Sequence, residues 1–209
     1  KSKILLRKLP NKFLEILKFL KTYLLENHLM EARSQYKYSD EYKKFVHILE
    51  AINYIRVAGN QGELLPQTYF EFGCHSGRTF SAAVNASNFL KMRNMDYYAF
   101  DSFQGLPQTN TKTDGFFKTG SFNTSLEEFK RILKRNTSIS LKKENIIEGF
   151  YENSLTKGIQ AKMPKIGIVY IDVDLYSSTQ KVLEFIAPLL VSGSVILFDD
   201  WYCFPANSE

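Results

Sequence analysis

The apolar positions of this chain change rhythm near residue 68. Before it the spacing is helical. Phe13, Ile16, Leu17, Leu20 and Leu24 recur at steps of three and four behind Pro10, which predicts a helix over 11–30. A second stripe, Tyr42, Phe45, Ile48, Leu49, Ile52 and Ile55, predicts a helix over 40–57, capped by Ser39 or Asp40 and ended by Gly59. From residue 68 onward, short apolar runs alternate with helical patterns. Strands are predicted at 68–72, 97–101, 144–148, 166–172 and 194–199. Helices are predicted over 79–91, behind the capping box Thr124-Ser-Leu-Glu127, and over 177–190. The run 166–171 is apolar apart from one Gly, as a strand buried on both faces should be. Such alternation implies βαβ units and a parallel sheet. The expected architecture is α/β. A helical N-terminal segment, 1–60, serves as a cap or oligomer contact, and residues 61–209 form one Rossmann-like, mostly parallel domain.

Composition changes this picture little. With 44% hydrophobic and 23% charged residues, the chain is ordinary for a globular protein, which excludes global disorder. Its apolar stretches fall short of the ~18–20 residues of a membrane span. Lys12, Glu15, Lys18 and Lys21 interrupt the N-terminal apolar stretch, so no secretory signal is read. Two cysteines, Cys74 and Cys203, make no disulfide framework, and a reducing cytoplasmic compartment is expected.

Charge changes it more. Residues 1–30 hold seven basic and two acidic side chains, while the remaining 20 basic and 20 acidic ones cancel. The net +5 therefore belongs to an N-terminal arm. A nucleic-acid-binding surface on the domain itself is not expected. A basic amphipathic helix can lie on a membrane surface; the simpler reading is that it covers its own domain or a dimer mate.

In a sheet of this kind, ligands bind beyond the carboxyl ends of the strands. The first strand leads into Glu71-Phe-Gly73-Cys-His-Ser-Gly77. Two glycines four apart let backbone approach a ligand, but this is neither the dinucleotide fingerprint nor a P-loop. A carboxylate such as Glu71 at the end of a buried strand needs compensation, from backbone donors or from a ligand's cation or amine. The second strand ends on Asp101-Ser102, where an acid suits ribose hydroxyls or caps a turn. The loop 102–123 is long enough to read as a lid or as disordered.

Asp172-Val-Asp174 follows the fourth strand and Asp199-Asp200 the fifth. On neighbouring strands these four carboxylates converge. Two like charges 4 Å apart repel by ~4 kcal/mol at an effective dielectric of about 20. Protonation or a hard divalent cation, Mg²⁺ foremost, relieves that; Asp174 could instead cap the helix beginning at Ser177. His28, His47 and His75 form no zinc spacing, and His47 is expected to be a solvated or interface residue.

The segments Glu71-Phe-Gly73-x-x-x-Gly77, Asp101-Ser-Phe-x-Gly-Leu-Pro107, Glu148-Gly149-Phe150, Ile171-Asp172-x-Asp174-Leu-Tyr176-x-x-Thr179 and Phe198-Asp199-Asp200-Trp201 together resemble the macrocin O-methyltransferase (TylF/MycF/NovP-type) family, over about residues 65–202. These are class I S-adenosylmethionine-dependent, Mg²⁺-dependent enzymes that methylate sugar hydroxyls. The resemblance implies that Glu71, Gly73 and Gly77 hold the methionine part of the cofactor, and Asp101 and Ser102 its ribose. Gly149 and Phe150 would lie by the adenine. Asp172, Asp199 and Asp200 would ligate Mg²⁺, and Asp174 would be the general base. The acceptor would be a small sugar-like molecule. Family members continue past the Asp-Asp motif with a helix and two strands. This sequence ends nine residues after Asp200, so a fragment truncated after strand five, or an open sheet edge, is expected.

Two other enzyme classes use Asp-x-Asp. A metal-dependent glycosyltransferase is opposed by the glycine loop, by Asp101 and by the late position of the motif. A haloacid-dehalogenase-like phosphatase carries its first aspartate near the start of the fold. A non-catalytic methyltransferase-like docking module is the third alternative.

Overall fold

Helix α1, Asp40–Asn60, enters the domain as part of its core. The computed structural model describes residues 40–62, 64–109 and 117–200; the expected helix over 11–30, the middle of the long loop and Cys203 lie outside them. After α1 come β1 (Thr68–Phe72), α2 (Arg78–Phe89), β2 (Asp96–Asp101) and α3 (Leu126–Thr137). Then follow β3 (Ile146–Glu148), two single-turn helices α4 (Tyr151–Ser154) and α5 (Lys157–Gln160), β4 (Ile166–Ile171), α6 (Tyr176–Ile186) and β5 (Leu190–Phe198).

The strands form one sheet in the order β3-β2-β1-β4-β5, and every pairing is parallel. The order reverses between β1 and β4, where a crevice opens at the carboxyl edge. Side chains alternate across the sheet. Tyr69, Ala99, Ile168 and Tyr170 face a layer made by Ile48 and Ile52 of α1, Phe80 and Val84 of α2, and Phe129 and Leu133 of α3. Phe70, Phe72, Phe100, Val169 and Ile171 face Val182, Phe185 and Ile186 of α6. Phe72 stacks on Phe100 with ring centroids 4.2 Å apart, and Phe185 meets both edge-on. Such aromatic pairs add ~0.5–1.5 kcal/mol beyond their buried area.

Three expectations are corrected. The cap of α3 is Ser125, one residue later than the predicted box; its Oγ accepts from the Glu128 N–H at 3.2 Å. The Glu128 carboxylate pairs with Arg131 at 2.6 Å instead of turning back to the cap. Helix α6 stops at Ile186 rather than 190, because Pro188 sits in the 3₁₀ turn Ala187–Leu189 and cannot continue an α-helical ladder. β5 begins at Leu190, earlier than predicted. Its pairing shifts from Ile166↔Leu190 to Ile168↔Val195, and Gly193, at φ +87°, shapes the bulge between them.

Candidate active site

Four backbone hydrogen bonds extend the ladders just past the strands and align the residues that matter. Gly73 N–H donates to Phe100 O (3.0 Å), Asp172 N–H to Phe72 O (2.9 Å), Asp199 N–H to Ile171 O (3.0 Å) and Gly149 N–H to Asp101 O (3.0 Å). At the switch point the approach is closest. Gly73 has φ +84°, and a Cβ there would stand 1.8 Å from the Asp172 carbonyl oxygen, so only glycine fits. Gly77 serves packing: a Cβ would lie 2.9 Å from the Phe129 ring.

A cavity of ≈ 240 Å³ opens beside Gly73. Asp101, Ser102, Gly149 and Phe150 line it at the β2–β3 end, and Asp172 and Asp174 at the β4 end. His75, Gly105, Leu106 and Phe122 contribute further wall. The cavity thus joins seven of the expected site residues. Glu71 and Gly77 are buried beneath it, and Asp199 and Asp200 stand outside its lining.

At the β2–β3 end, backbone donors satisfy the acid. Asp101 accepts from His75 N–H at 2.8 Å and from Phe103 N–H at 2.7 Å, one bond to each oxygen. The Ser102 hydroxyl shapes the loop: it donates to Gly105 O at 2.7 Å and accepts from Gln104 N–H at 3.1 Å. The two described arms of the long loop are laced together, with Leu106 N–H on Ser121 O and Gly120 N–H on Leu106 O, both 2.9 Å. The middle of the loop, 110–116, lies outside the described residues.

Glu71 is fully buried on the α1 face of the sheet. Its Oε2 accepts from Tyr69 Oη at 2.6 Å, whereas Oε1 has no hydrogen-bond partner among the described residues. Burial, then the charges of Asp172 and Asp101, hold this carboxyl well above the usual carboxylate range, although Tyr69 pulls it down. A cationic ligand group would relieve both the orphaned oxygen and the repulsion.

The β4–β5 end is built from charge. Among the described residues, Asp172, Asp199 and Asp200 bring carboxylate oxygens within 4.8 Å of one another, all half-buried. Lys44 of α1 reaches this group: its Nζ lies 2.6 Å from Asp199 Oδ2 and 3.7 Å from Asp172 Oδ2. The other Asp199 oxygen accepts a hydrogen bond from the Tyr170 hydroxyl. Burial and then the neighbouring Asp199 push the Asp172 carboxyl up to about 7, against the pull of Lys44. Burial and then Asp200 push Asp174 up to about 6. Burial works against charge on Lys44, but the hydrogen bond to Asp199 and the surrounding aspartates outweigh it and raise its pKa. Asp174 does not cap α6, whose N-cap is Leu175 without a side-chain bond. An all-oxygen set of three carboxylates suits a hard divalent cation such as Mg²⁺.

The sequence reading missed Lys44, Tyr170 and Tyr69. Lys44 precedes Ile48 by four residues and so lies on the buried side of α1, an unusual place for a cation and the one signal available. Tyr69 is two residues before Glu71, so alternation places it on the face of its partner acid, whereas the partner of Tyr170 is Asp199, on the next strand end, and no local spacing links the two. His47 is exposed, and the Cys74 thiol is buried and free.

The family model for macrocin-O-methyltransferase (TylF) matches residues 24–209, which reaches into the N-terminal segment where no motif was found. Among solved structures, the chain resembles CalS11, a calicheamicin methyltransferase, at 19% identity and TM-score 0.64, covering 92% of this chain and 79% of that one. The O-methyltransferase NovP matches at 20% identity and TM-score 0.59, covering 75% of this chain and 64% of that one. An apo structure of CalS11 as a TDP-rhamnose 3′-O-methyltransferase matches at 18% identity and TM-score 0.55, covering 90% and 78%. At these identities the likeness speaks for the fold. No curated protein sequence matches significantly.

Proposed function

The chain belongs to the macrocin O-methyltransferase family, and from that premise we propose that it transfers a methyl group from S-adenosylmethionine to a hydroxyl of a sugar or glycosylated small molecule, with Mg²⁺ bound. The observation that carries this reading is the cavity itself, with Asp101, Gly149 and Phe150 at one end and Asp172 and Asp174 at the other. The family supports methyl transfer to oxygen, and the TDP-rhamnose activity given for CalS11 motivates a sugar hydroxyl as acceptor.

In this reading Asp101 binds the ribose hydroxyls and Gly149 and Phe150 border the adenine. The backbone at Gly73 makes room for the methionine part, and Glu71 supplies the negative charge behind it. Asp172, Asp199 and Asp200 hold the cation. When bound, S-adenosylmethionine supplies a methyl group already activated on sulfur, and the cation supplies positive charge that makes a neighbouring hydroxyl more acidic. Asp174 would take the proton of the acceptor hydroxyl, whose oxygen would then accept the methyl group as the carbon–sulfur bond breaks and S-adenosylhomocysteine leaves. Burial raises this carboxyl above the usual carboxylate range, which makes it a better proton acceptor than an exposed aspartate. Holding oxygen and methyl in near-attack geometry can lower the barrier by ~7–11 kcal/mol. Among the described residues no helix is long and apolar enough to cross a membrane.

Calorimetry with S-adenosylhomocysteine and, separately, with UDP-sugars tests the reading. Binding of the first alone is expected, and methyl transfer to a deoxysugar nucleotide panel should stop on chelation while S-adenosylhomocysteine affinity is unchanged. Binding of UDP-sugars without S-adenosylhomocysteine would overturn it in favour of a glycosyltransferase.

A further inference from the structure

Lys44 has no place in the proposed chemistry, yet it makes the shortest ion pair among the three clustered aspartates. Its Nζ stands 2.6 Å from Asp199 and 3.7 Å from Asp172, and its side chain is only 29% exposed. Asp199 is engaged on both oxygens, by Lys44 on one and by Tyr170 on the other. The ammonium therefore bridges two of the three carboxylates that would hold a divalent cation. Three carboxylates this close repel strongly without positive charge among them. A lysine supplies one such charge on a flexible stem.

We propose that Lys44 is a tethered counter-cation that occupies the carboxylate cluster in the metal-free protein and yields its place when a divalent cation is bound. The proposal rests on the reading of Asp172, Asp199 and Asp200 as cation ligands. It makes Lys44 a positioning residue. Lys44 keeps Asp172 and Asp199 on adjacent strand ends aimed at a common point, so the ligands stay assembled while the site waits. It also sets the affinity, because each divalent ion must compete with a charge that the protein carries itself. Since Lys44 belongs to α1, cation binding is coupled to the first turns of that helix: the ammonium that leaves Asp199 is anchored one turn before Ile48, which is buried in the core.

The test is calorimetric titration of Mg²⁺ into wild type, Lys44→Met and Lys44→Arg, with thermal melts of each with and without the ion. Lys44→Met keeps the apolar stem and removes the charge. It should bind Mg²⁺ roughly 10- to 100-fold more tightly than wild type while melting at a lower temperature when metal-free, and the melting difference should close at saturating Mg²⁺. Lys44→Arg retains the charge and should stay near wild type in both. A residue with only a packing role would lower the melting temperature without tightening Mg²⁺ binding. Equal or weaker Mg²⁺ affinity in Lys44→Met overturns the exchange but leaves the cation site standing. Absence of Mg²⁺ binding in wild type and Lys44→Met alike overturns both.

Discussion

The two ends of the crevice hold their acids by different means. At the β2–β3 end, Asp101 is met by two main-chain N–H groups, which cannot leave or change charge. At the β4–β5 end, Asp199 is met by a lysine and a tyrosine hydroxyl, and its neighbours Asp172 and Asp174 carry raised pKa values. The first end is held by backbone dipoles, whose charge does not change with what is bound. The second is a balance of mobile charges, and its state depends on what enters. A site built this way separates recognition, which needs constancy, from activation, which needs charge to change.

The comparison can be broken most severely at the point the two ends share. Gly73→Ala would drive a Cβ into the Asp172 carbonyl and force an unfavourable φ, at a cost of more than ~4 kcal/mol. Chemical denaturation should show the loss, and no ligand should restore wild-type stability. Next in size is Asp174→Asn. It removes the base and not a cation ligand, so turnover should fall ~10²–10⁴-fold while Mg²⁺ titration is unchanged. Normal turnover in that variant would refute the base assignment.

A smaller effect sharpens the division itself. Asp101→Ala should weaken S-adenosylhomocysteine by ~1–3 kcal/mol, the scale for hydrogen bonds to a charged group. Asp199→Asn should leave that affinity alone. If both variants weaken the nucleoside ligand equally, the two ends are not independent.

A pH-dependent effect concerns Glu71. Its folded pKa is raised above the unfolded value, so the stability it confers is complete below the ordinary carboxylate range and is lost as pH rises through the folded pKa. Wild-type stability should therefore decline with rising pH above about 4, by no more than ~1.4 kcal/mol per pH unit from this group. Glu71→Gln should remove that component and gain on wild type at neutral pH. Denaturation curves from pH 4 to 8 that run parallel for the two proteins would count against a raised pKa.

The fold was legible wherever the chain's local pattern decides the structure. β1 and β4 are short, apolar and bounded, and their limits came out within one residue. β5 did not, because Ser192 and Gly193 interrupt its pattern and only the bulge against β4 reveals that the strand starts at Leu190. The helices α4 and α5 span four residues each, too short for any periodicity to show. The aspartates of the site were legible because each follows a strand, and strand order brings the ends together. Lys44 was not, because its partner lies 155 residues further along the chain, and no local pattern links a helix to the far end of a sheet.

The placing of β1 has a consequence for how the protein comes into being. This first strand lies in the middle of the sheet, and its β4 partner is synthesised nearly a hundred residues later: Thr68 Oγ1 bonds the Lys165 carbonyl across a separation of 97 residues. Closing so long a loop is entropically costly, and parallel pairings of this kind form slowly. Until that closure, Gly73 has no Asp172 to pack against and the crevice has only one wall. Nascent chains arrested before β4 should thus carry β1, β2 and their helix without any capacity to bind a nucleoside. In refolding, ligand competence should return in the same kinetic phase as the long-range pairing and never ahead of it.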